Sequence, residues 1–146
     1  MICSWSISKH LEDRGRVHLM KEVGTESNLQ RNVASSLDRI GFAYEYEHVT
    51  DEGLSIDMAN VESKIVIEVE GPSHFLKSST NAAAADMMIS PPKYNGSTKF
   101  KERLLRKLGW KVVHVPYYEW DRFNLAGRDQ SEQYLAQDDY MRSLLK

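Results

Sequence analysis

The chain has 146 residues, 41% of them hydrophobic and 27% charged, with 19 Lys/Arg against 21 Asp/Glu and a net charge of −2. That length suits one domain with a core of its own, and the near-neutral balance argues against a uniformly basic nucleic-acid binder. No apolar run reaches the roughly 18 residues of a membrane span. The single cysteine, Cys3, excludes an intrachain disulfide framework and a cysteine-based zinc site.

In chain order, residues 1–24 read as an N-terminal extension without a secretory signal; Glu12, Asp13 and Glu22 also interrupt the basic character of a transit peptide. Thr25 or Ser27 is placed to cap a helix whose buried stripe is Leu29, Val33, Leu37 and Ile40, ended by Gly41. Residues 42–49 alternate as a half-exposed strand, with Phe42, Tyr44 and Tyr46 on one side. Residues 54–59 and 64–70 form two further strands joined by a short loop. Residues 76–96 read as irregular, with one helical turn at 82–88. Ser97 or Thr98 then caps a helix with Phe100, Leu104, Leu105 and Leu108 as its core stripe, stopped by Gly109. A fourth strand follows at 110–115 and ends at Pro116; a last helix runs from a polar linker at 124–130 to about Leu145. This order predicts an α/β fold with one mixed sheet of about four strands flanked by helices, the fourth strand parallel to the third.

The third strand, IVIEVE, runs into a Gly-Pro turn and His74. Its period of two puts Ile65, Ile67 and Val69 on one face and Val66, Glu68 and Glu70 on the other. In the second strand Leu54, Ile56 and Met58 share a face, and Asp57 sits on the opposite one. The hairpin brings Asp57 beside Glu68, so three carboxylates converge at one sheet edge. Such a cluster raises its members' pKa values or recruits a hard cation, Mg²⁺ or Mn²⁺. His74 is then a candidate acid–base group. Solvated strand ends and a loop histidine bonded to its turn are the plainer alternative.

Charge is uneven along the chain. Residues 76–107 carry 7 Lys/Arg against 2 Asp/Glu, whereas residues 1–75 carry 7 against 13. On the helix after residue 96, Lys99, Lys101, Arg103, Arg106 and Lys107 are candidate phosphate contacts. Tyr117 and Tyr118 are candidate stacking platforms for unpaired bases. The alternatives are a solvated basic face and aromatic residues that pack a C-terminal helix.

Together, IVIEVEGPSHF (65–75), YNGSTKFKERLLRKLGWKVVHVPYYEW (94–120) and the upstream Asp57 resemble the RAP domain, a module named as an RNA-binding domain abundant in apicomplexans. The resemblance spans about half the chain, centred on 54–120. It leaves 77–93 as an insertion and implies a domain over 25–146. It further implies a restriction-endonuclease-like fold, similar to very-short-patch-repair and PD-(D/E)xK nucleases. The implied work is RNA binding in organellar RNA processing, stability, ribosome assembly or translation, on rRNA or mRNA of a mitochondrion or plastid. Such modules end longer proteins or join ribonucleoprotein complexes, so the chain reads as one domain of a larger whole, with no membrane partner.

In that nuclease superfamily Asp57 and Glu68 match the two acids, and His74 is similar to the histidine of the repair nucleases. Glu70 stands where the family has lysine, and Ile56 where it has proline. Lys99 or Lys101 is placed to substitute for the lysine. The departure favours holding RNA over cutting it. The rival is a metal-dependent endoribonuclease with Asp57, Glu68 and Glu70 as metal ligands and His74 as acid–base group. A third reading is a protein-interaction module that uses Trp120 or the last helix.

Overall fold

The computed structural model describes residues 28–76, 91–124 and 127–146. The extension at 1–24, the cap at Thr25 or Ser27 and the turn at 82–88 lie outside the described residues. The elements are α1 (Asn28–Arg39), β1 (Glu45–Val49), β2 (Ser55–Asn60), β3 (Ile65–Glu70), α2 (Gly96–Lys107), β4 (Lys111–Pro116), α3 (Tyr117–Trp120) and α4 (Gln130–Leu145), with single 3₁₀ turns at Pro72–His74 and Asp121–Phe123. The strands lie in the order β1-β2-β3-β4. The first three form antiparallel pairs, and β4 runs parallel to β3 across the α2 crossover.

Helix ends follow local chemistry. Gly41 (φ +71°) and Gly109 (φ +88°) take the left-handed conformation that stops α1 and α2 where the sequence predicts it. The start of α2 differs from expectation. Asn95 rather than Ser97 or Thr98 is the cap, its side chain accepting the Thr98 N–H at 3.0 Å.

One face of the sheet packs under α1 and α4. Val33 and Leu37 of α1, Met141 of α4, and Met58, Ile67 and Val115 of the strands are all fully buried there, around Trp120. Burial of each such side chain stabilises the fold by about 1.5–3 kcal/mol. A polar clasp joins the two helices at their rim. Asp138 accepts from Ser36 Oγ at 2.6 Å and from Arg39 Nη2 at 2.8 Å, and the Arg39 guanidinium lies 4.3 Å over the Tyr134 ring. Trp120 is fully buried, so it presents no surface to a partner, which corrects the interaction reading for that residue.

The other face packs under α2 around Leu54, Ile56, Ala59, Val66, Leu105, Trp110 and Val112. Two expectations fail here. Ile56 and Met58 do not share a face: Ile56 lies in the α2-side cluster and Met58 in the opposite one. The β2–β3 ladder ends at Met58↔Ile67, and the Asp57 carboxylate takes the Val69 N–H at 2.7 Å instead of a strand carbonyl. On α2, Phe100 is 58% exposed and Leu108 37% exposed, while Thr98 and Leu105 are buried. The face beneath carries Glu68, Glu70 and His114, so the helix turns Lys101 and Glu102 towards the sheet and leaves Phe100 largely exposed at the edge of the cleft.

A charged cleft beneath the basic helix

Three strand positions supply the polar floor. Glu68 and Glu70 point to the α2 side because Ile67 and Val69 occupy the opposite face. The parallel register Glu68↔His114 brings the β4 histidine alongside. The Gly-Pro turn after β3 folds into the 3₁₀ turn Pro72–His74, returning His74 to Glu70 four residues earlier. Helix α2 closes the site from above. The result is a cleft of about 240 Å³ between α2 and the sheet. Leu54, Leu104, Leu105 and Val112 form its apolar wall, and Glu68, Glu70, His74, Lys101, Glu102 and His114 its charged side.

Glu70 is the hub of the charged side. One oxygen is 2.8 Å from His114 Nδ1 and the other 2.7 Å from His74 Nδ1, with only 2% of the residue exposed. Burial pushes its pKa up, but the two imidazoles outweigh that and hold it down at about 2. Both histidines shift the other way. The Glu70 hydrogen bond raises His74 against burial; for His114 burial is the strongest single influence and lowers it, but the Glu70 hydrogen bond together with the charges of Glu70, Glu102 and Glu68 outweighs it. His114 Nε2 continues to Glu102 at 3.5 Å, and His74 Nδ1 also faces Thr98 Oγ1 at 3.3 Å.

Glu68 is buried beside this hub, with Lys101 Nζ donating to one oxygen at 2.8 Å. Its other oxygen has no hydrogen-bond partner among the described residues. Burial pushes its pKa up to about 7 despite the lysine, with Asp57 adding to the rise. Asp57 is likewise raised, by burial first, although the Val69 N–H opposes it.

The structure therefore gathers Asp57, Glu68, Glu70 and His74, and of the two lysines placed to substitute for the family's lysine it brings in Lys101 and leaves Lys99 exposed. Each acid is already engaged: Asp57 by a backbone N–H, Glu68 by Lys101, Glu70 by two histidines. Among the described residues no three His, Cys, Asp or Glu side chains converge as metal ligands. Charge-assisted contacts reach both Glu70 oxygens and one Glu68 oxygen, and leave the second Glu68 oxygen without a partner among the described residues.

The candidate phosphate contacts divide. Lys101 faces inward, and Arg106 pairs with Glu102 at 2.8 Å while staying exposed. Lys99, Arg103 and Lys107 are exposed and make no ion pair among the described residues. Tyr117 and Tyr118 are half-buried, edge-on to Phe75 at 5.8 and 5.6 Å, and Phe75 in turn stacks on Tyr94 at 4.8 Å. Sequence reasoning missed His114 and Glu102. The signal for His114 was present, since alternation from Val112 puts it on the Glu68 face. It missed Phe100 as a surface ring because helical spacing alone made it core.

Residues 67–138 match the family model described as the RAP domain. The chain is 29% identical over 129 residues to a "RAP domain-containing protein, chloroplastic" of Oryza sativa subsp. japonica. That match covers 88% of this chain but 18% of the relative, so the chain spans less than a fifth of the relative's length. Among solved structures it is similar to the catalytic domain of a homing endonuclease, with a TM-score of 0.45 and 18% identity over 79% of this chain and 96% of that one. The matched segment contains all of α2 and β4, the floor residues Glu68, Glu70 and His114, the turn residue His74, and most of α4. Over residues 67–138, just under half of its length, this chain is similar to the RAP domain family.

Proposed function

We propose that this domain binds RNA through the outer side of α2. One observation carries the reading. Lys99, Arg103 and Lys107 stand four residues apart on one side of the helix, exposed and without acidic partners among the described residues. Like charges at that spacing destabilise a helix by a few tenths of a kcal/mol per pair. A polyanion laid along them reverses the sign. Beneath them the salt links Lys101–Glu68 and Glu102–His114 dock α2 on the sheet, so the cations sit on a held element.

The chloroplast address of the rice relative and the family resemblance support plastid RNA as the substrate, in its maturation, stability or translation. Support for a larger ribonucleoprotein context comes from the relative's greater length.

The rival is metal-dependent cleavage of RNA by Asp57, Glu68, Glu70 and His74. It draws on Glu68, Glu70, His74 and Lys101 lining one cleft, with Asp57 close enough to influence Glu68. Incubating labelled RNA with the chain, with and without Mn²⁺, separates the two. Retarded but intact RNA in both conditions, equally for wild type and Glu68→Gln, is the expected result. Cleavage that needs Mn²⁺ and disappears in Glu68→Gln overturns the pure binding reading.

A further inference from the structure

We propose that the cleft under α2 receives one unpaired base from the RNA strand held on the helix, with Phe100 as the stacking ring at its mouth. This rests on the RNA-binding reading and names the conformation of RNA that the site takes. Three observations carry it. Phe100 is 58% exposed although it sits on a well-formed helix with an apolar cleft beside it, so it is a large ring left in water. It lines that cleft together with Leu54 and Leu104, and the volume of about 240 Å³ is enough for a purine or pyrimidine ring. Arg103, Leu104 and Lys107 follow Phe100 at spacings of three, four and seven, so ring and cations share one side of the helix.

Charge decides the occupant. An apolar peptide side chain would fill the wall but leave the neighbouring cations unanswered. A nucleotide supplies both halves: a flat ring for Phe100 and Leu104, and phosphates for Arg103 and Lys107. The floor adds an acceptor without a donor, the second oxygen of Glu68, beyond the apolar wall. A duplex keeps its bases paired and offers no ring to the cleft, so the geometry points to single-stranded RNA.

The test uses the 146-residue chain and a short oligouridylate carrying a single 2-aminopurine. Insertion of the fluorescent base beside Phe100 changes its emission on binding. Phe100→Ala removes that change and weakens binding about tenfold, the range for losing one base–aromatic stack. Phe100→Tyr restores both, and Arg103→Ala weakens binding while the emission change at saturation persists. An unaltered thermal midpoint for Phe100→Ala shows that the loss is not unfolding. If RNA binds but emission is constant and Phe100→Ala is neutral, the base cleft is refuted while RNA binding stands. If the oligonucleotide does not bind at all, both the base cleft and the RNA reading fall.

Discussion

On the α1–α4 side of the sheet, β3 contributes Ile67 and Val69 to an apolar layer around Trp120. On the α2 side, the next residues of the same strand contribute Glu68 and Glu70 to a cluster of opposite charges. The period of two in one six-residue strand thus separates a half that holds the fold from a half whose polar groups cost desolvation. The first half is held by area. The second is held by matched pairs, each with a partner on another element: Lys101 for Glu68, and His74 and His114 for Glu70. A fold seeking only stability would gain as much from apolar residues there. The charged half is therefore not explained by stability alone, which is why the proposed RNA surface lies on that side.

Substitutions should separate the two halves, and the apolar side gives the largest effect. Trp120→Ala removes a fully buried ring and should cost about 3–5 kcal/mol in urea melts, independent of pH. A charged-side counterpart is Glu70→Gln, expected to cost about 2–3 kcal/mol near pH 6 by leaving two histidines without their anion. Here the pH profile is the sharper measurement. Glu70 falls from 4.5 unfolded to about 2 folded, so its contribution is complete above 4.5 and fades as pH drops towards 2. His74 and His114 rise above 6.5, so theirs is complete below 6.5 and fades as pH climbs past it. Stability from the cluster therefore peaks between about 4.5 and 6.5, and Glu70→Gln should flatten the peak. A mutant with the wild-type profile would contradict the hub role of Glu70.

Asp57→Ala strips the acceptor from the Val69 N–H and should cost about 1–3 kcal/mol, whereas Asp57→Asn keeps an acceptor and should cost less. Equal losses in thermal melts would mean that charge, rather than the backbone bond, is what Asp57 supplies. Glu68 gives an effect of opposite sign to that of Glu70. Its folded value of about 7 lies above 4.5, so the protein loses stability as pH rises between them. Glu68→Gln should remove that slope, and melts at pH 5 and 8 read it directly.

The alternation in β3, the glycine stops after α1 and α2 and the β–α–β crossover were legible because each depends on local spacing. So was the convergence of Asp57, Glu68, Glu70 and His74, which follows from a hairpin and a turn. Three features depended on what lies across from a residue. Phe100 satisfies the helical period of a core residue, yet the face beneath α2 is charged, and the helix rotates to bring Lys101 and Glu102 inward. His114 becomes a site residue only once β4 pairs in parallel with β3. Ile56 changes face because the Asp57 side chain replaces a rung of the ladder, a substitution that alternation does not encode.

The most direct test of the charged half as an RNA surface is affinity for single-stranded RNA across a salt series, for wild type and for Lys99→Glu/Arg103→Glu/Lys107→Glu. These side chains are exposed, so the triple variant should melt within about 0.5 kcal/mol of wild type. Wild-type affinity should fall steeply with salt, and the variant should bind far more weakly, with a log–log slope shallower by about 2. A variant that binds as tightly as wild type, with the same salt slope, would contradict the account.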